Sequence, residues 1–522
     1  MDAPLMDNRI AAAWRLLPGY LGQHVLLSAS ALVLGLVISL PLAVAASRSP
    51  RLRWAVLLGA GTVQTIPSLA LLALFYPLLL ALSALTKASL GFGFSALGFL
   101  PSLLALTLYS MLPILRKATT GILGVDPAVV EAARGVGMTD RQRLFQVELP
   151  LAAPVIMAGV RTAAVWTIGT ATLSTPVGQT SLGDYIFSGL QTEDWVLVLF
   201  GCGAAAGLAF IVDQLLGLIE VGAAKRDRRR VIMGLGGLAL GTALALAPLI
   251  SVGAAAERVV VGAKNFSEQY ILADLMAGRL KAQGFTVTQK DDLGSAVAYR
   301  ALAANEVDAY VDYSGTLWTN VLHRTDNPPR KLLLDQLTTA LKARDGVTVL
   351  GPLGFENAYA LAMRRDRAQA LGIKTIDDLA RQAPNLSLGS DLEFLSRPEW
   401  AALNTAYGLK FKAEHRYQPT FMYKALLSGD VDVISAFSSD GRIAADDLVV
   451  LTDPRQAIPP YDAVILLSPR RGADARFRAA LTPLLGSIPV EAMRKANLTV
   501  DRDQDKATPA QAAAALAKAI GR

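Results

Sequence analysis

The chain has 522 residues, of which 52% are hydrophobic and only 18% charged, with a formal net charge of +7. Its mean hydropathy of +0.39 points to membrane spans, and a single cysteine, Cys202, excludes an intramolecular disulfide. Before residue 257 there are 17 basic and 12 acidic side chains, and from residue 257 onward 33 and 31, so most of the excess charge sits in the apolar part, as loop bias rather than as a nucleic-acid footprint.

A membrane-crossing helix needs about 20 mostly apolar residues. Six runs qualify: 25–46, 55–82, 96–115, 151–173, 195–221 and 231–256, the second interrupted by Gln64-Thr65 and Pro67. Positive charge sets the expected orientation. Arg48, Arg51 and Arg53 follow the first run; Arg116, Lys117, Arg134, Arg141 and Arg143 separate the third and fourth; Lys225, Arg226, Arg228, Arg229 and Arg230 separate the fifth and sixth. These loops are expected in the cytoplasm. The opposite loops hold only Lys87, so the N-terminus and everything beyond the sixth run are expected outside. The basic cluster, the apolar run and Gly253-Ala-Ala-Ala256 resemble a signal peptide placed mid-chain. Its length favours an uncleaved anchor, with cleavage after Ala256 as the alternative. The expected division is a membrane part at 1–225, a basic loop and sixth span at 226–256, and an exported domain at 257–522.

Between the third and fourth spans lie Glu131-Ala132-Ala133, then three residues, Gly137, nine residues, and Val147-Glu148-Leu149-Pro150. Small residues at Ala132 and Ala133 permit close approach to a partner, Gly137 permits a turn, and Pro150 is expected to start the next helix. The spacing resembles the EAA loop of ABC importer permeases. The resemblance covers roughly residues 20–225, including Gln64-Thr-Ile-Pro67 and Leu182-Gly-Asp-Tyr-Ile186, and is closest to permeases for glycine betaine, choline and carnitine. It implies that this loop docks on a separate ATPase subunit. It also implies that two copies of a five-span core pair around one path in the bilayer. The chain has no G-x-x-x-x-G-K-[ST] phosphate loop. ATP and Mg are therefore expected on the partner, with no cofactor and no metal in this chain.

From Arg258 the pattern alternates strand and helix, which predicts an α/β domain with mostly parallel strands and a ligand at their carboxyl ends. Strands are expected at 258–262 and 285–289, with helices at 267–283, capped by Ser267, and 295–307. Residues 257–522 are long enough for two lobes. The segments Val261-Gly-Ala-Lys-Asn-Phe-Ser-Glu-Gln269, Asp312-Tyr-Ser-Gly-Thr316, Gly354-Phe-Glu-Asn-Ala-Tyr359, Glu393-Phe394 with Arg397, Val431-Asp-Val-Ile434 with Ser439-Asp-Gly-Arg442, and Pro459-Pro-Tyr-Asp462 resemble quaternary-amine-binding proteins in order and spacing. The fold class expected for the whole chain is an α-helical permease followed by a two-lobed periplasmic-binding-protein domain.

A trimethylammonium group has no N–H donor, so it is recognised by aromatic faces, each worth about 0.5–2 kcal/mol. A carboxylate suits the planar fork of Arg. The resemblance assigns Tyr313, Tyr359, Phe437 and Tyr461 to an aromatic cage. It assigns Lys264, Thr316 and Arg397 to the carboxylate, with Asn357 beside the cage; Asn265 is a further candidate from the first loop. Core packing is the ordinary role for any one of these rings, and a structural ion pair the ordinary role for Arg397. Trp318 and Trp400 fit core or lobe-surface positions, and His323 and His415 lack metal-ligand spacing. Phe437 stands where several relatives have Tyr, which leaves the ligand open: ergothioneine, a betaine imported by fused chains of this type, is the alternative to an osmoprotectant. A membrane-anchored sensor is the competing class, and no nucleophile–base set, paired carboxylates or metal cluster points to an enzyme.

Overall fold

A computed structural model describes residues 3–91, 93–192, 194–250, 257–324, 326–502 and 505–521. The chain divides into two compact units, one mainly helical, from Asp7 to Ala254 except 188–195, and one built chiefly from Ala255–Arg522.

In the helical unit the order is α1 (Ala3–Arg48), α2 (Pro50–Thr65), α3 (Ser68–Leu90), α4 (Phe99–Leu123), α5 (Pro127–Gly135), α6 (Asp140–Arg143), α7 (Leu149–Ala171), α8 (Gly183–Gln191), α9 (Trp195–Lys225) and α10 (Arg228–Ile250). Six helical stretches among the described residues are long and apolar enough to cross a membrane: Ala13–Arg48, Ser68–Leu90, Phe99–Leu123, Asp140–Val177, Trp195–Lys225 and Arg228–Leu249. The second expected span is two helices. Pro67 has no N–H to continue the ladder, so α2 stops at Thr65, and the qualifying stretch runs Ser68–Leu90, starting after the break rather than at residue 55. The break is held by α4: Gln64 Nε2 donates to the Tyr109 carbonyl at 3.1 Å, and the Tyr109 hydroxyl donates to the Ile66 carbonyl. Backbone freed inside an apolar medium needs such a partner. The end of the sixth expected span, 251–256, with the Ala256 cleavage alternative, lies outside the described residues.

Close helix contacts rest on small residues. At Gly159, where α7 crosses α4, an added Cβ would stand 2.7 Å from the Lys117 Cβ; at Gly234 of α10 it would stand 2.5 Å from Ile219 of α9. One ion cluster joins α7 to α9, with Arg161 Nη2 to Asp213 Oδ2 at 2.6 Å and Nη1 to Glu220 at 3.2 Å. His24 of α1 is buried; its Nε2 lies 3.1 Å from the Ile168 carbonyl, and its Nδ1 accepts from the Leu182 N–H at 3.3 Å.

Among the described residues the second unit holds ten strands: β1 (Arg258–Lys264), β2 (Thr286–Leu293), β3 (Ala309–Tyr313), β4 (Thr348–Glu356), β5 (Tyr359–Arg364), β6 (Ser387–Asp391), β7 (Ala413–Tyr417), β8 (Val433–Phe437), β9 (Leu448–Val450) and β10 (Asp462–Leu467). They form two five-stranded sheets, ordered β2-β1-β3-β10-β4 and β7-β6-β8-β5-β9. Each sheet is the core of one lobe, and the chain passes between them at Asn357-Ala358 and again between β9 and β10. Neither sheet is mostly parallel. β1 pairs in parallel with β2 and β3, but β10 runs antiparallel to β3 and β4; β6 is parallel to β7 and β8, but β5 is antiparallel to β8 and β9. Helical crossovers give parallel neighbours, whereas strands arriving from the other lobe enter the opposite way. α11 (Ser267–Ala282) follows β1. Ser267 is not its cap: Phe266 is the N-cap, and the Ser267 hydroxyl donates to Asp501.

Candidate functional site

The expected cage residues sit at strand ends where the two sheets face each other. Tyr313 ends β3 and Tyr461 precedes β10 in one lobe; Tyr359 opens β5 and Phe437 closes β8 in the other. Antiparallel register sets Tyr359 directly opposite Phe437, with ring centroids 4.9 Å apart. Tyr461 meets Tyr359 edge-on at 6.3 Å, Phe394 meets it at 5.0 Å, and Phe266 stacks between Tyr313 and Phe437 at 6.2 and 6.4 Å. One aromatic cluster thus spans both lobes, with Tyr313, Tyr359 and Tyr461 buried and Phe437 half-buried. The turn after β3 must be glycine, because a Cβ at Gly315 would lie 2.5 Å from the Tyr461 ring.

Arg397 lies beside this cluster, its guanidinium 5.1 Å from the Tyr359 ring centroid. It is also at the junction of the lobes: Nη2 reaches Thr316 Oγ1 at 3.4 Å, and Nε and Nη2 bind Glu399 at 3.2 and 3.1 Å. Nη1 meets Glu393 at 3.2 Å. Glu399 accepts as well from the Tyr461 and Thr319 hydroxyls. Burial pushes the Glu399 carboxyl up, but the charge and hydrogen bonds of Arg397 and the Tyr461 hydroxyl outweigh it and hold the pKa below its ordinary value. Burial also opposes charge on Arg397, yet Tyr359, Glu399 and Tyr461 overcome it and the guanidinium pKa is raised.

Lys264 enters as the partner of Asp312, at 2.5 Å, with its ammonium 5.0 Å from the Tyr313 centroid. Asn357 donates through Nδ2 to Glu268 at 3.1 Å, while its Oδ1 is buried without a partner. Asn265 is exposed and makes no side-chain hydrogen bond to the cluster among the described residues.

Glu268 and Glu399 were not among the expected site residues. Glu268 is buried and accepts four side-chain donors, from Tyr313 at 2.5 Å, Asn357 at 3.1 Å, Ser439 at 2.6 Å and Asn497 at 2.8 Å. Burial raises its pKa, and those four bonds oppose the rise. Both acids sit in the first turn of a helix, where acids ordinarily complement the helix dipole. That ordinary role masks them in the sequence.

The connection between α4 and α7 forms a second site. Asp126 caps α5, which carries Glu131 and Ala132 exposed and Ala133 buried. Gly137 then turns at φ +81°, and Thr139 caps α6. Pro150 stands in the first turn of α7, as its missing N–H favours, but α7 does not begin from a free end. A π turn at Leu144–Glu148 joins α6 to α7, so Leu149 and Pro150 lie within one helical run from Asp140. A proline inside a helix leaves a carbonyl free and crowds the preceding turn, and the wider π turn accommodates it. Glu148 is buried and anchors this elbow: it accepts from Arg143 at 2.9 Å and from Arg48, the last residue of α1. Val136 and Phe145 are both exposed on the same connection.

Two families match the chain. Residues 33–225 match the binding-protein-dependent transport system inner membrane component, and residues 257–519 match the substrate binding domain of ABC-type glycine betaine transport systems. The ergothioneine transport permease/ergothioneine binding protein EgtU of Helicobacter pylori (strain G27) is 30% identical over 422 residues, covering 78% of this chain and 72% of that protein. The glycine betaine/carnitine/choline transport system permease protein OpuCB of Bacillus subtilis (strain 168) is 41% identical over 199 residues, 38% of this chain and 84% of its own. A crystal structure of a glycine betaine/carnitine/choline ABC transporter aligns with 50% of this chain and 98% of its own at 27% identity and a TM-score of 0.44.

Proposed function

Because this chain belongs to the ABC importers whose permease is fused to a glycine betaine-type substrate-binding domain, we propose that it captures and imports a quaternary-ammonium zwitterion. The observation that carries the reading is the single aromatic cluster joined across both lobes and flanked by Arg397. Tyr313, Tyr359, Phe437 and Tyr461 take the trimethylammonium group on their faces. Arg397, held by Glu399 through Nε and Nη2 and beside Thr316, offers the ligand carboxylate its Nη1 in exchange for the exposed Glu393. Lys264, paired with Asp312, supports the Tyr313 ring.

ATP hydrolysis belongs to a separate ATPase, which binds ATP and Mg and docks on the elbow around Glu131, Ala132, Ala133 and Gly137. Two copies of this chain form the path through a bacterial cytoplasmic membrane, with the binding domain outside. Glycine betaine, choline and carnitine head the ligand class, in line with the permease relative. Ergothioneine is the second reading, favoured by the relative that matches both parts of the chain. A thermal-shift screen of the fragment 257–522 against these compounds tests the class, since a ligand that binds only the folded state raises the melting temperature. Stabilisation by at least one of them is expected; none at millimolar concentration would remove the class.

A further inference from the structure

We propose that the groove between α2 and α4 is a binding site for an anionic phospholipid of the leaflet nearest the coupling elbow. This open groove of ≈ 680 Å³ is lined by Arg53, Trp54, Leu57, Leu58, Gly61 and Arg116, among others. Its chemistry changes along its length. Arg53 and Trp54 lie near the N-terminal end of α2, and the leucines, Gly61, Thr62 and Thr65 continue one face of that helix. That face extends about 16 Å at 1.5 Å per residue, enough to receive part of an acyl chain. An added Cβ at Gly61 would touch nothing within 4 Å, so the floor is open.

The charged end lies at the elbow end of the helices. α2 follows Arg48, which binds Glu148 of the elbow, and Arg116 is in the C-terminal half of α4, which leads into α5. Arg48 and Arg143 are paired with acids there. Among the described residues, neither Arg53 nor Arg116 has an ion pair, and the Arg53 Nε is buried without a hydrogen-bond partner. Two unneutralised guanidiniums above an apolar stripe complement a phosphate headgroup above a chain. Trp54, 69% exposed, has the amphipathic ring that settles at headgroup depth. A facing copy of this chain would cover the apolar stripe but would also need acids to meet both arginines.

The test uses the full-length protein in mixed vesicles, with brominated phosphatidylglycerol or brominated phosphatidylcholine as quencher. The Trp54 signal is the difference between the parent and Trp54→Phe. Phosphatidylglycerol is expected to quench it with an apparent preference on the order of tenfold. The double variant Arg53→Gln/Arg116→Gln is expected to lose that preference with an unchanged melting temperature. Equal quenching by the two lipids in the parent protein overturns the proposal without reference to any variant. So does a preference that survives the double substitution, or one abolished by millimolar inorganic phosphate. Efficient disulfide formation between two copies through Leu58→Cys, in a Cys202→Ala background, would assign the groove to a second copy and also overturn it.

Discussion

Arg397 and Glu399 set what the pocket can distinguish. Both are buried, and each is the other's principal charged partner. Replacing one partner of a buried charge pair costs on the order of 2–5 kcal/mol. Arg397→Ala should therefore weaken carboxylate ligands such as betaines and ergothioneine far more than choline, which has no carboxylate. Tyr359→Ala removes a ring that contacts Phe437, Phe394 and Tyr461, and should weaken all three. Calorimetric titration of both variants checks this, and equal losses for choline and betaine in Arg397→Ala would make the residue a structural ion pair.

A second residue reports on stability. Burial drives the Asp292 carboxyl up to about 7, against the hydrogen bond from Tyr270. Its unfolded value is about 3.9. A raised folded pKa gives stability that is complete below the unfolded value and lost as pH rises through the folded one, here from about 4 to 7. Asp292→Asn should remove this dependence, and Asn suits the left-handed backbone, φ +60°, at that position. Urea unfolding of 257–522 should show a variant advantage on the order of 2–4 kcal/mol near pH 8 that vanishes near pH 4. No change with pH would mean that Asp292 titrates normally.

At the scale of elements, the coupling elbow behaves as a unit pinned at Glu148. Glu148→Gln leaves Arg143 buried with a weaker partner, and Arg48 loses its ion pair. Ligand-stimulated ATPase activity in the assembled transporter should fall several-fold, while ligand affinity of the binding domain is unchanged. The double variant Arg143→Gln/Glu148→Gln should be milder than the sum of the two singles, because it removes both charges. Gly137→Leu should uncouple in the same way: nothing lies within 4 Å of its Cβ position, but φ +81° costs an L-residue roughly 1–2 kcal/mol. Full transport by either single variant would separate the elbow from coupling.

Elements also show what the sequence can carry. Long apolar runs and basic loops mark the membrane helices because bilayer thickness and loop charge act locally along the chain. The break at Pro67 is equally legible, since a missing N–H is a property of one residue. The antiparallel halves of both sheets were hidden, because they depend on which lobe a strand returns to. The aromatic residues could be assigned through family motifs, but not their ring contacts. Glu268 and Glu399 escaped notice because their partners, Asn497 and Tyr461 among them, lie far away in sequence.

At the scale of the whole molecule, fusion sets one binding domain per permease copy. A separate binding protein must find its permease by diffusion, whereas here capture and transport share one chain and one expression level. Linkage fixes the effective concentration of the binding domain near its membrane part, a dependence set by the connecting segment rather than by expression. The most direct test is ATP-dependent uptake into proteoliposomes holding this chain and its ATPase partner, using radiolabelled glycine betaine, choline, carnitine and ergothioneine. Accumulation of at least one is expected, abolished by Tyr359→Ala and by omission of ATP; stable, correctly inserted protein that binds the ATPase yet accumulates none of the four would contradict the assignment.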